Sequence, residues 1–286
     1  MKKMSSITCI VLVLCSIILF APKKAHAVDF GIGMYSYYAW WSPSFRNQYE
    51  SFELEPMILY GPVLSISFMD KWSISFLVVQ NLLVGKEMAP EGNITYRSSG
   101  TFGAYQVEDT RRMYRFDADL TLSYSLFDQL RLFFGGKYMY CAFEGGSEED
   151  IHLTGAYTLA NDGSLSEDWG GISSWGFGTG ISLNLPIIGG LSIQVNESLL
   201  YSQTSFDLPV YAQKVPAAVI GMVKEENSYH GIGSNTSLAL LYYISPIQTS
   251  ISLGGRFQVI HYFSGSGPDM DNDYFYGLTA SVIITF

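Results

Sequence analysis

Three charged residues at alternate positions, Arg115, Asp117 and Asp119, carry the most distinctive chemistry of this 286-residue chain. A spacing of two puts them on one face of a β-strand. The same parity on the following strand adds Arg131 and Lys137, an earlier strand adds Glu53 and Glu55, and a late one adds Arg256 with Gln258. Opposite charges on neighbouring strands can meet across a ladder. Such a cluster suits two roles. It can line a constriction that selects among ions or small solutes. It can also be an ion-paired filling that replaces the apolar core of a narrow interior.

Other candidates are sparser. His152 falls in a polar stretch, while His230 and His261 sit at strand ends on an apolar face. Hairpin partners would bring the last two together, but a metal site needs further ligands. A nucleophilic serine needs a histidine and a third, orienting group, and serines are too numerous here for such a match to inform. Asp269, Asp271 and Asp273 follow a Gly-Ser-Gly-Pro run that is similar to the opening of a calcium loop. The glycine and closing glutamate of that loop are missing, because Phe275 and Tyr276 resume a strand. The default is a solvated acidic turn. No catalytic residue, metal ligand or cofactor is assigned.

Ten strands position these residues, at about 28–41, 52–68, 72–84, 113–127, 130–143, 171–185, 191–205, 229–244, 249–262 and 274–286. The fourth alternates most cleanly: Tyr114, Phe116, Ala118, Leu120, Leu122, Tyr124 and Leu126 oppose the face that holds the charges. The last sets Tyr274, Tyr276, Leu278, Ala280, Val282, Ile284 and Phe286 against Gly277, Thr279, Ser281 and Thr285, with Phe275 and Ile283 as apolar exceptions. Tight turns at 69–71, 128–129, 186–190 and 245–248 alternate with polar connections at 42–50, 85–112, 144–170, 206–228 and 263–273. Pro56 and Pro62 remove ladder donors, which predicts a bulge or weak pairing on the second strand. Glu197 falls on apolar parity between Val195 and Leu199, which predicts a bulge that turns it inward.

The fold class expected is all-β: a transmembrane, antiparallel, up-and-down β-barrel of about ten strands. A soluble barrel or sandwich would invert the pattern, with large apolar residues inside. The ends agree. Lys2 and Lys3, the apolar run Ile10 to Phe20 and Ala25-His26-Ala27 read as a signal peptide over 1–27, leaving the barrel as 28–286. The apolar run is shorter than the roughly 20 residues of a spanning helix. Cys9 and Cys15 leave with it, so Cys141 is alone and no internal disulfide can form. The leader takes four of the 16 basic residues and none of the 26 acidic ones, so 12 against 26 leaves a formal charge of −14. That balance argues against a nucleic-acid partner, which calls for concentrated positive charge.

Signal peptide, dyad repeat, alternating connections and terminal Phe286 together resemble a bacterial outer-membrane β-barrel, over the whole of 28–286, with no family within that class fixed. The resemblance implies insertion by the barrel-assembly machinery through Phe286, contact with outer-membrane lipid and lipopolysaccharide, turns at the periplasm and long connections outside. The pair Asp117 and Asp119 is similar to the close aspartate pair of the omptin proteases, also ten-stranded. Their activity also needs a histidine–aspartate pair spaced Asp-x-His, which this sequence lacks, so an enzyme is not the expectation. The expectation is a narrow porin-like channel for small solutes. The alternative is a non-conducting barrel with a structural or surface-binding role through its long outer connections, whose ligand the sequence does not name.

Overall fold

The structure is a computed structural model that describes residues 28–44, 51–81, 93–99, 105–153, 158–159, 168–214, 219–265 and 270–286, with side chains over 28–44, 54–81, 113–142, 171–206, 227–265 and 270–286. The leader 1–27 lies outside the described residues. The strands in chain order are β1 (Asp29–Ser42), β2 (Ser51–Leu54), β3 (Met57–Phe68), β4 (Trp72–Gln80), β5 (Asn93–Ser99), β6 (Tyr105–Phe127), β7 (Leu130–Leu153), β8 (Thr158–Leu159), β9 (Asp168–Ile188), β10 (Leu191–Lys214), β11 (Val219–Ile244), β12 (Thr249–Gly265) and β13 (Asp273–Thr285).

Ten of them close a ring in the order β1, β3, β4, β6, β7, β9, β10, β11, β12, β13, with every neighbour antiparallel. Closure leaves this ring no edge, which is how a sheet satisfies its backbone in lipid. The seam pairs β1 with β13 from Gly31↔Thr285 to Ser42↔Tyr274. Beyond it, the Phe286 amide donates to Phe30 O at 2.7 Å. All four tight turns fall where the sequence puts them. Met69 and Asp70 adopt φ of 52° and 58°, and Gly189 and Gly190 of 57° and 86°. The glycine pair supplies that left-handed geometry without a Cβ penalty.

The outward face is apolar over a continuous belt. Leu199 is 65% exposed, Leu253 64%, Leu278 59% and Leu238 57%. All ten ring strands carry at least one exposed large apolar residue, among them Ile32, Leu64, Trp72, Leu120, Phe134 and Ile181, which marks a lipid-facing surface. Aromatic pairs border the belt. Trp72 and Tyr124 lie at the turn end, ring centroids 4.8 Å apart. Trp40 stacks on Tyr276 at the opposite end, at 5.9 Å. Such girdles belong at membrane interfaces.

The polar connections contain more strand than their composition suggests. Within 85–112, 144–170 and 206–228, the described residues 105–112, 144–153, 168–170, 206–214 and 219–228 continue β6, β7, β9, β10 and β11. The β10–β11 ladder runs unbroken from Leu191↔Tyr242 to Lys214↔Val219. A ladder is made by backbone groups, so a ribbon clear of lipid needs no apolar alternation to persist. β2 and β5 pair with each other and extend the sheet beyond β6. The second predicted strand therefore splits at Pro56 into β2 and β3. At Pro62 the β3–β4 ladder passes from Tyr60↔Gln80 to Val63↔Leu77 in one register, with the proline in the gap.

Inside the ring, the turn-end half presents mostly small residues inward, such as Gly33, Ser75, Gly135, Gly180 and Gly254, with Phe133 and Ile283 as larger exceptions. The other half holds a buried cluster: Tyr37, Ala39, Trp41, Met57, Leu59, Val79, Met113, Cys141, Ile172, Phe206, Tyr229, Ile260, Tyr262 and Phe275. Every one of the ten ring strands contributes to it.

Candidate functional site

β6 aims Arg115, Asp117 and Asp119 into the lumen because it lies flat in an unshifted ladder with β4, from Trp72↔Tyr124 to Gln80↔Phe116. Where β4 ends, the Asn81 side chain takes over. Its Nδ2 donates to Met113 O at 2.9 Å and its Oδ1 accepts from the Arg115 amide at 2.8 Å. This side-chain imitation of a strand fixes the backbone that carries Arg115.

The charges then form a chain. Arg115 Nε donates to Asp117 Oδ1 at 2.9 Å and Arg115 Nη2 to Asp117 Oδ2 at 3.1 Å, a bidentate pair. Lys137 Nζ, on β7, lies 3.3 Å from Asp117 Oδ2 and 3.5 Å from Asp119 Oδ1. Arg256 Nη1 lies 3.8 Å from Asp119 Oδ2, while its Nε donates to Asn235 Oδ1 at 2.6 Å. β12, which carries Arg256, stands five strands from β6 whichever way the ring is counted. This ion pair therefore spans the lumen from wall to wall.

A second crossing lies above it, toward the buried cluster. The Arg115 guanidinium sits 3.7 Å from the ring centroid of Phe275 on β13 and 5.2 Å from that of Trp41 on β1. Trp41 Nε1 donates to Asp273 Oδ1 at 2.9 Å. Tyr37 meets Phe275 edge-on at 4.9 Å. A cavity of about 30 Å³ borders Arg115, Ser202 and Gln258. Among the described residues, Arg115 Nη1, Ser202 Oγ and Gln258 Oε1 have no hydrogen-bond partner. A space that small suits ordered water rather than a solute. On the turn side of the network a larger cavity, about 90 Å³, is roofed by Asp119, Lys137 and Arg256.

Five of the eight charged residues singled out from sequence thus come together: Arg115, Asp117, Asp119, Lys137 and Arg256. Three stand elsewhere. Glu55 is exposed, in the break between β2 and β3 rather than on a ring strand. Glu53 lies on β2, off the ring, and its side chain is outside the described residues. The proline break diverts this segment from the lumen that an unbroken strand would have reached. Arg131 keeps inward parity but is exposed at the turn end, opposite Ser125 and Ser182.

Trp41 and Phe275 complete the site and were not among the sequence candidates; Asp273, which the sequence offered only as part of a calcium-like turn, joins them. The signal was available, because Phe275 breaks the polar parity of its strand. Of the calcium-like triplet, Asp273 points into the lumen, Asp271 is exposed and Asp269 lies outside the described residues. No cluster of potential metal ligands occurs among the described residues. His230 Nδ1 and Tyr201 Oη are 2.7 Å apart on the outward face. His261 opposes Ile232, one diagonal step from His230, and its Nδ1 is 2.8 Å from Asn272 Oδ1. The His152 side chain lies outside the described residues. Glu197 is not turned inward: its ladders with Ile181 and Thr236 are in register, and the β9–β10 shift lies at Leu191/Ser192 instead.

A closed ten-stranded antiparallel barrel with an apolar outer belt defines the class as bacterial outer-membrane β-barrels. The solved structures similar to this chain are of that kind. One is the outer membrane protease OmpT from Escherichia coli, at 10% identity and a TM-score of 0.50, over 92% of this chain and 99% of that one. Others are the β domain of the Bordetella autotransporter BrkA, at 8% identity and a TM-score of 0.42, over 91% and 100% of the two chains, and Neisserial surface protein A, at 11% and 0.35, over 92% and 100%. At these identities the likeness is one of fold. No family model and no curated protein matches the chain.

Proposed function

We propose that this protein is a non-conducting barrel of the bacterial outer membrane that holds a crown of β-ribbons at the cell surface for binding. The observation that carries the proposal is the burial of the lumen's filling. Arg115, Tyr37, Phe275, Met57, Leu59, Met113 and Ile172, drawn from five strands around the ring, are each less than 2% exposed. A water-filled constriction would leave its lining accessible. Here the ion pairs cross the lumen, and apolar side chains from all ten strands close over them.

In this reading the tight turns face the periplasm and the ribbons face outward, since outer-membrane barrels have short periplasmic turns and longer outer connections. Lipid and lipopolysaccharide surround the belt. The sealed cluster lies level with Trp40 and Tyr276, and in this orientation it sits near the outer interface. The small-residue half below it forms a vestibule open to the periplasm. Asp117 and Asp119 act as structural anions rather than catalytic ones: both are engaged by cations, and His230 pairs with Tyr201 on the outward face.

Liposome swelling tests the proposal. Vesicles carrying the folded protein are expected to swell in small sugars no faster than empty ones. Swelling rates that rise with protein and fall with sugar size would establish the porin-like alternative.

A further inference from the structure

Glu197 lies on the outside of the barrel, in the middle of the apolar belt. It is six residues from Leu191 at the turn end of β10 and four from Tyr201, whose ring joins the aromatic girdle through Phe177 at 5.1 Å. Its parity neighbours on β10 are Val195 and Leu199. Its ladder partner Thr236, flanked along β11 by Leu238 and one step from Ser234, donates its hydroxyl to Glu197 Oε2. Among the described residues Thr236 is the partner of this carboxyl, and the outward-parity Ser234 hydroxyl has none.

An ionisable group facing hydrocarbon at this depth is costly, and where one persists it marks a function or a partner. The polar spot is also self-complementary. Glu197 offers acceptors and Ser234, paired with Leu199, offers a donor one strand away and two residues along, a diagonal of ~7 Å on the sheet surface. A two-fold axis along the membrane normal beside this spot sets the Glu197, Thr236 and Ser234 patch of one copy against the same patch of the other. Any second copy inserted in the same sense carries its polar spot at the same depth, whereas an unrelated partner would have to match it.

We infer that the β10–β11 face, centred on Glu197, is a homodimer interface within the membrane. The inference rests on the barrel's seat in lipid and not on whether the lumen conducts, so the swelling assay and the following test fail independently. The chain 28–286 is refolded into phosphatidylcholine vesicles with single cysteines introduced on the lipid face. Leu199→Cys sits beside Glu197, and Leu64→Cys lies five strands round the ring, on β3. Cys141 is buried and does not interfere. Under mild oxidation Leu199→Cys is expected to form a dimer-sized disulfide product at least fivefold more than Leu64→Cys. Adding Glu197→Leu should cut that product at least fivefold while the folded, heat-modifiable band persists, since the change replaces a polar lipid-facing group with an apolar one. Ser234→Ala should cut it in the same direction and serves if Glu197→Leu folds poorly. Equal crosslinking of the two cysteines, or a Leu199→Cys product unaffected by the second-site changes, would overturn the inference. So would a product that forms only when another membrane protein is reconstituted alongside.

Discussion

Arg115 is held from four sides: by the Asp117 carboxylate, by the ring of Phe275, by the ring of Trp41 and, through its own amide, by Asn81. Its side chain is 1% exposed and that of Asp117 is 5%. Removing one member of a buried pair leaves the other charge uncompensated, at a cost of ~3–5 kcal/mol. Arg115→Ala is therefore expected to lower the urea midpoint of the refolded barrel, followed by tryptophan fluorescence, in proportion to that loss. Arg131→Ala, at the exposed turn end, should stay within about 0.5 kcal/mol of the parent. Equal effects of the two changes would mean that the network does not carry the load assigned to it. Parity made the charged chain legible, because Arg115, Asp117 and Asp119 alternate with large apolar residues. It did not foretell Trp41 or Asp273, which meet Arg115 only when β1 and β13 close the ring. The run Tyr37-Tyr38-Ala39-Trp40-Trp41 did hold a clue: apolar residues at consecutive positions give a strand two apolar faces, and one of them must turn inward.

Strands within the belt were readable from sequence because lipid on one side and a polar lumen on the other impose a period of two. Outside the belt that constraint disappears. The segments 105–112, 144–153, 206–214 and 219–228 read as loops, yet their backbones pair as ribbon. Pro209 fits this picture, since it pairs with Lys224 beyond Asp207↔Gly171, where the β9 ladder ends; proline is tolerated on such an edge. A register flip at Glu197 was expected because its side chain breaks the apolar pattern. The ladder instead keeps its register, with neighbours on both sides in phase and Glu197 hydrogen-bonded to Thr236. Because the β10–β11 ribbon stands above the belt, it should be separable from the barrel. Replacing 209–224 with an Asn-Gly turn between the paired Leu208 and Glu225 is expected to leave the folded electrophoretic mobility and the urea midpoint unchanged. Loss of the folded species would mean that the ribbon supports the wall beneath it.

At the scale of the whole molecule, the barrel is divided along its axis. The half near the turns is lined mainly by small and polar residues, with Phe133 and Ile283 as larger exceptions. The half near the ribbons is filled by a charged layer with an apolar cluster over it. A narrow barrel tends to fill its interior with side chains, and here the filling draws on every strand. Closing the ring and filling it are coupled, because Arg256 to Asp119 and Arg115 to Phe275 join walls that sequence separates by more than a hundred residues. The most direct test of the sealed lumen is single-channel recording of the refolded protein in a planar bilayer. Silence is predicted for the parent, with discrete current steps appearing when Arg115→Ala is combined with Phe275→Ala. Steady steps in the parent, with an ion preference that shifts on substitution of Arg115 or Asp117, would contradict the sealed lumen and establish a pore lined by these residues.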